Sequence, residues 1–454
     1  MRLATLFGPD FRQTLETEPE AIAEALEEFH EEDIAEICED LALDDVVALV
    51  AKLPEEFAAG VVQRLPEERR VEVLARLGRT EAASLLAEMA PDDRADVVQT
   101  LEMPLRETLL GELDKIEPEA ADEVRELAAY PEGKAGALMT TAFVGVSPET
   151  KVWQAMAQLR EHAKENHAET IYYVYGLAYD DKLVGVASLR DLILAEPGQQ
   201  LSDIMVGNVV RVHDTDDQGD VARTMAKYDF HAIPVVDDHG TMLGVITVDD
   251  VVDVVIEEAT EDAQRMGAVV PTEQGYFQTT FGAYFKSRVT WLVVLFLGGF
   301  VTASVMESFE DAIARAITLA VFIPLIISTG GNAGSQSATL VIRALAVGDV
   351  TPADWARIAG RELLVGLSLG AVVGVLGLGR AYFAGDAAAI PLAATVGASI
   401  VLVVTVGSLL GSLLPLLIQR VGLDPAVSST PFIASLSDVV GLLVYLGTAS
   451  VLMP

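Results

Sequence analysis

Asp438 is the residue whose position asks most of the chemistry around it. It lies in Ser435-Leu-Ser-Asp-Val-Val-Gly441, inside an apolar stretch near the end of the chain. If a helix starts near Pro431, the carboxylate sits about 10 Å into it. A charge at such depth in hydrocarbon is costly and by default marks an ion path. The alternative is a protonated acid bonded to Ser435 or to a neighbouring helix. A second unusual stretch is Pro324-Leu-Ile-Ile-Ser-Thr-Gly-Gly-Asn-Ala-Gly-Ser-Gln336, within the uncharged run Ala316–Ile342. In hydrocarbon an unpartnered backbone or amide group is expensive. Gly330, Gly331 and Asn332 are therefore expected to face protein, water or a solute. They form either a small-residue packing face or the wall of a pore.

Carboxylates cluster again in Asp249-Asp250-Val-Val-Asp253-Val-Val-Ile-Glu257-Glu258-Ala-Thr-Glu261-Asp262. On a helix, Asp250, Asp253, Glu257, Glu258, Glu261 and Asp262 fall on neighbouring faces. Like charges three and four apart destabilise a helix, so the strip invites cations. Oxygen ligands without His or Cys point to a hard ion, Mg²⁺ or Ca²⁺, over zinc. The alternative is a solvated acidic face. Asp424, in the loop before the last apolar stretch, belongs to a pore mouth or is a plain turn residue.

A third pattern occurs twice: Gly185-x-x-Ser188-x-x-Asp191 and Gly244-x-x-Thr247-x-x-Asp250, each at a predicted strand-to-helix junction. The hydroxyl caps the helix, the helix N-terminus can hold a phosphate, and the Asp can accept from ribose hydroxyls.

The elements that position these residues fall into two compositional halves. Of 68 acidic and 30 basic residues, 9 and 8 lie after residue 285, leaving 59 and 22 before it. An acidic half thus precedes a nearly neutral, apolar one. The acidity argues against nucleic acid as a partner. It favours cation binding or plain solvation, and the scarcity of lysine also suits a high-salt cytoplasm. The single cysteine, Cys38, excludes an internal disulfide and fits a reducing compartment. The N-terminus has no apolar stretch of the signal-peptide kind.

Residues 1–130 read as all helix. Leu41, Leu53, Leu65, Leu77, Met89, Leu101 and Leu113 recur every twelve positions. Pro54-Glu-Glu, Pro66-Glu-Glu and Pro91-Asp-Asp place proline in a first turn with acids the helix dipole welcomes. One short helix per repeat, stacked as a right-turning solenoid, fits that period. Residues 131–255 hold an α/β unit that repeats after about 60–65 residues. Its predicted strands are Val144–Val146, Thr170–Val174 and Lys182–Ala187 in one copy, and Val209–Val212, Ala232–Val236 and Met242–Ile246 in the other. The two copies resemble a pair of CBS domains. That resemblance implies a cleft for an adenine nucleotide such as ATP, with Tyr173, Arg190, Asp191 and Phe230 for stacking, phosphate and ribose. A nucleotide-free dimerisation module is the other reading.

Residues 256–285 read as a connecting helix and linker. Five apolar runs fill 286–454: Val289–Met306, Ala316–Ile342, Leu363–Gly379, one within Ala387–Gln419, and one from Thr430 to the end. Each has room for the ~17–25 residues a span needs. Lys286, Arg288, Arg343, Arg357, Arg361 and Arg420 fall on the side of the N-terminal domains, with Arg315 and Arg380 opposite. The positive-inside rule then puts the N-terminal domains in the cytoplasm and the C-terminus outside the cell. The fold class is a multidomain membrane protein: an all-α solenoid, a CBS pair, a long connecting helix and five transmembrane helices.

The whole chain resembles the MgtE family of magnesium channels and transporters. The motifs are Thr329-Gly-Gly-Asn-Ala-Gly-Ser-Gln-Ser-Ala-Thr-Leu340, Glu258-Ala-Thr-Glu-Asp262 and Leu423-Asp-Pro-Ala426 followed by Leu436-Ser-Asp438. The resemblance implies a homodimer with one pore, in which Asp438 with Asn332 forms the ion-selective constriction. It implies that Mg²⁺ bridging the cytosolic parts closes the pore, and that Asp92, Asp229, Asp250, Asp253, Glu258, Glu261, Asp262 and Asp424 match such positions. Gly60 and Gly219 stand where relatives can carry an acid, which implies weaker or missing sensor sites there. A cation-coupled divalent-metal exporter would use the same Asp438. A CBS-regulated chloride channel would place its CBS pair after a larger membrane domain. No nucleophile, metal-site or phosphate-loop set points to an enzyme.

Overall fold

In the computed structural model the described residues are 26, 29–164, 171–272, 275–276, 279–315, 317–384 and 389–453. Thr170, Ala316, Ala387 and Pro454, which the sequence placed in one strand and three spans, lie outside them. The chain divides into two compact units, Met1–Val255 and Ile256–Pro454.

Among the described residues the first unit opens with eight consecutive helices: α1 (Glu31–Asp40), α2 (Leu43–Val50), α3 (Glu55–Gln63), α4 (Glu67–Arg76), α5 (Arg79–Ala87), α6 (Pro91–Thr100), α7 (Met103–Ile116) and α8 (Pro118–Leu127). From α1 to α7 their starts are spaced twelve residues apart, as the apolar period predicts. The periodic residues Leu41 to Leu113 are all buried and join one core. Each helix from α1 to α6 packs on the helix two further along, which sets them in two rows. Pro91 takes the first helical position, whereas Pro54 and Pro66 stand one residue earlier, at the N-cap. There their missing N–H costs nothing, and the acids behind them still occupy the first turn.

The duplicated α/β segment forms two three-stranded sheets of identical order. In the first, β1 (Gly145–Val146) runs parallel to β2 (Tyr173–Leu177), which pairs antiparallel with β3 (Leu183–Ser188). In the second, β4 (Val212–His213), β5 (Ala232–Val236) and β6 (Met242–Thr247) repeat that arrangement. The short helix α9 (Ala135–Leu138) leads in; α10 (Val152–His162) and α11 (Leu189–Leu194) belong to the first copy and α12 (Gln218–Tyr228) to the second. The observed β2 continues past the predicted Val174. Gly176 pairs with Gly185, and a Cβ on either would meet Met205 Sδ at 2.9 or 2.4 Å. Gly176, inside the strand, makes room for that methionine. Ala95 and Leu127 of the helical array share a core with Val221, Ile233 and Val251 of the second copy.

The helix after β6 is α13 (Val248–Met266), which runs across the boundary drawn between residues 255 and 256. The membrane part follows: α14 (Phe281–Ser308), α15 (Glu310–Arg315), α16 (Ile317–Ala346), α17 (Trp355–Ala384), α18 (Ala389–Arg420) and α19 (Thr430–Leu452). Five of them contain a segment long and apolar enough to cross a membrane. α16 runs unbroken through Pro324 and the Gly-Gly-Asn stretch. It packs on α18 and α19. Gly330 and Gly334 of α16 meet Gly407 and Gly411 of α18: a Cβ on Gly411 would lie 2.0 Å from the Gly334 carbonyl oxygen. Four-residue glycine spacing on both partners is the small-residue device that lets membrane helices touch backbone to backbone. The Tyr445 hydroxyl, buried in α19, donates to the Leu319 carbonyl of α16 at 3.0 Å.

Candidate functional site

The glycine contact sorts the residues of the predicted pathway by face. Gly330 turns to α18, where a Cβ would meet Val403 at 2.6 Å. Gly331 turns to α19, where a Cβ would sit 3.6 Å from Ala434 and 3.8 Å from Asp438 Oδ1. The absent side chain at 331 therefore leaves the Asp438 carboxylate against the α16 backbone. Asn332, on the next face, is exposed in the single chain. Ser328, Asn332, Gln336 and Thr339 share a polar stripe at three- and four-residue spacing on α16, none of them buried. Ser437, beside Asp438, is buried with its hydroxyl unpaired within the chain. A polar stripe and a carboxylate thus flank each other on two helices of membrane-spanning length.

The cytosolic carboxylates divide into separate groups. Asp92 is buried in the first turn of α6. Its neighbour Asp93 accepts from Gln63 Nε2 at 3.0 Å and lies close enough to Asp249 and Asp250 for mutual repulsion. Burial raises the pKa of Asp93, and the Asp249 charge adds to the rise. Burial likewise raises Asp250 to about 6, against the hydroxyl of Thr247, which donates to it at 2.6 Å. Asp93 and Asp249 are missing from the sequence-derived set; only the fold brings α6 to the start of α13. Asp253 is exposed one turn along α13. Farther on, Asp262 is raised by burial and then by Glu258 and Glu261. Glu261 and Asp424 are both paired with Arg265, a residue the sequence reading passed over. At Gly60, the space a side chain would fill holds the Glu31 carboxylate, which pairs with Arg64 at 2.7 Å. Gly219 is buried in the first turn of α12, donating to Asp217 Oδ1 at 3.1 Å. Among the described residues no three acidic, His or Cys side chains are gathered as a ready metal site.

The raised carboxylates carry a sign. Asp93 and Asp250 hold protons more tightly folded than unfolded, so stability falls as pH rises through their folded pKa values. In EDTA, the first unit's melting transition in the full-length protein is expected to be higher near pH 5 than near pH 7. Added Mg²⁺ should recover it at pH 7. A transition that rises steadily from pH 5 to 7 in EDTA would contradict the arrangement.

A cleft of about 750 Å³ opens between the two CBS-like copies, lined by Tyr172, Tyr173, Ser188 and Arg190 of the first and Asp229 and His231 of the second, among others. Two predicted nucleotide residues, Tyr173 and Arg190, line it. Asp191 is turned to its own helix start, accepting from the Ser188 hydroxyl at 2.6 Å. Phe230 stacks on Tyr228 at 5.4 Å. Asp229, assigned from sequence to metal, closes α12 in a left-handed conformation at φ 54° and forms part of this wall. Tyr172 and His231, whose rings lie 5.1 Å apart, are cleft residues that sequence reasoning missed. Each adjoins a residue it did name.

Residues 323–448 match the family model for MgtE divalent cation transporters. Residues 14–78 and 29–133 match the MgtE intracellular N domain, and 135–198 and 201–257 the CBS domain. The magnesium transporter MgtE of Thermus thermophilus is 43% identical over 362 residues, 80% of this chain and 79% of that one. The chain belongs to the MgtE family. The magnesium transporter MgtE of Enterococcus faecalis is 41% identical, over 74% of this chain and 72% of its own length. Among solved structures, the soluble part of a magnesium transporter aligns with TM-score 0.51 and 35% identity, covering 57% of this chain and 98% of that chain. The cytosolic domain of the Mg²⁺ channel MgtE in complex with ATP aligns with TM-score 0.51 and 38% identity, covering 54% and 97%. As an MgtE-family member the chain is a membrane transporter with cytosolic N-terminal domains, and it is not an enzyme. The helical array, CBS pair and five apolar helices expected from the sequence are all present.

Proposed function

We propose that this MgtE-family chain conducts Mg²⁺ into the cytoplasm through a pore between the membrane parts of a homodimer. The observation that carries the reading is the polar stripe of α16 beside Asp438, uncovered in a single chain. Left in lipid, Asn332 and Gln336 would be costly; a second copy related by a two-fold axis would turn them and both Asp438 carboxylates inward. Mg²⁺ sheds water reluctantly and prefers oxygen ligands. Two carboxylates at the axis hold a hydrated ion through its waters without trapping it, as conduction requires. Asn332 adds a neutral oxygen, Gly331 leaves the room, and Gly330 sets the helix behind them. The C-terminus is outside the cell.

Regulation follows from the cytosolic acids. The division into 1–130, 131–255, 256–285 and 286–454 gives a helical domain, a CBS pair, a connector and the pore. Carboxylates of Asp92, Asp250, Asp253, Glu258 and Asp262 repel one another when empty, and Glu261 and Asp424, bridged by Arg265, complete the set; Mg²⁺ favours the arrangement in which they approach. Asp93 and Asp249 join that set. High internal Mg²⁺ then closes the pore. An adenine nucleotide in the Tyr173–Arg190 cleft tunes the same equilibrium, with Asp229 in its wall. Arg190→Ala is expected to weaken ATP binding at least about ten-fold, the scale of a lost charge-assisted phosphate contact; unchanged affinity by calorimetry would remove Arg190 from the site.

Liposomes carrying the protein should admit Mg²⁺ down its gradient with no imposed proton gradient. Uphill Mg²⁺ movement driven by protons would instead establish the coupled exporter.

A further inference from the structure

Two carboxylates of the Mg²⁺-sensing set already hold a cation that the chain itself carries. Arg265 lies one turn beyond Glu261 on α13. One guanidinium nitrogen donates to Glu261 Oε1 and the other to Asp424 Oδ2, in the loop ahead of α19. All three side chains are about one-third exposed, at 33%, 33% and 28%. The second Asp424 oxygen accepts from the Ala426 N–H at 2.8 Å, which fixes the carboxylate's direction. The next residue, Met266, packs against Ala338 and Ile342 of α16, Ala426 of the loop ahead of α19 and Ile433 of α19. One ion bridge and one apolar anchor thus seat the end of α13 on the two helices that carry Asn332 and Asp438.

The geometry points to Arg265 as a built-in latch that holds the end of α13 on the pore mouth when internal Mg²⁺ is scarce. This rests on the proposed closure of the pore by internal Mg²⁺ and takes the end of α13 as the part that closes it. Arginine suits the task because its planar fork presents two donors to two separate carboxylates while never losing its charge. The bridge also neutralises Glu261 and Asp424, so their mutual repulsion cannot push α13 away. The latch gives the pore a standing bias toward closure, and Mg²⁺ adds to it.

The test is Mg²⁺ entry into liposomes holding the full-length protein, with no internal Mg²⁺. Arg265→Gln keeps the length and removes the charge. Its entry rate is expected to exceed wild type on the order of five-fold, the scale of one partly exposed ion pair. Arg265→Lys keeps the charge but cannot bridge both acids, and should fall between. Pairing Arg265→Asp with Asp424→Arg restores opposite charges and should return the rate toward wild type. Equal entry for wild type, Arg265→Gln and Arg265→Lys, with the dimer intact by size-exclusion chromatography, would overturn the latch. The sensing reading is scored separately, by whether millimolar internal Mg²⁺ inhibits wild type.

Discussion

Asp438→Ala is expected to abolish Mg²⁺ flux while leaving a folded protein of unchanged oligomeric state. A unit charge acting on another at 4 Å contributes about 4 kcal/mol at an effective dielectric of 20, and a divalent ion doubles it. Even a third of that, expressed as a barrier, slows passage about a hundred-fold. Asp438→Asn is the cleaner companion. It keeps the volume beside Gly331 and removes only the charge, so it should lose flux nearly as completely. Both are read as Mg²⁺ entry into liposomes, with size-exclusion chromatography and thermal unfolding to check the fold. Undiminished flux in either would remove Asp438 from the pathway.

The second large effect is on closure. Asp250→Ala combined with Glu258→Ala should leave the pore open at internal Mg²⁺ that shuts the wild type. Each lost carboxylate ligand raises the inhibitory concentration on the order of ten-fold, since 1.4 kcal/mol is a factor of ten. Asp250 has a second role that must be separated. It accepts from the Thr247 hydroxyl at 2.6 Å at the start of α13, so alanine also removes a hydrogen bond worth about 1 kcal/mol. Asp250→Asn retains a hydrogen-bonding side chain there and removes the charge. If Asp250→Asn with Glu258→Ala escapes inhibition as the alanine pair does, the lost charge is responsible. Normal inhibition in the asparagine variant would reject Asp250 as part of the sensor.

Local order was legible in the sequence wherever one periodicity governed it. The twelve-residue apolar repeat marks both the helix starts and the buried residues that close them, because each repeat has the same core to fill. The duplicated Gly-x-x-Ser/Thr-x-x-Asp junctions mark β3, β6 and the helices after them, because the cap is chemically local. Pairings between distant segments were not legible. Asp93 and Asp249 come together only through the packing of α6 against the second CBS copy. Arg265 and Asp424 are 159 positions apart. Nor could spacing say that adjacent glycines part company, with Gly330 serving helix contact and Gly331 clearing the way to Asp438. That distinction depends on the rotation of α16, which its contact with Gly407 and Gly411 sets.

The most direct measurement is wild-type Mg²⁺ entry into liposomes as internal Mg²⁺ is stepped from zero to several millimolar. Entry down the gradient that falls off steeply as internal Mg²⁺ rises is the predicted result. Entry that is absent at every step, or indifferent to internal Mg²⁺, would contradict a Mg²⁺ pore closed by its own ion.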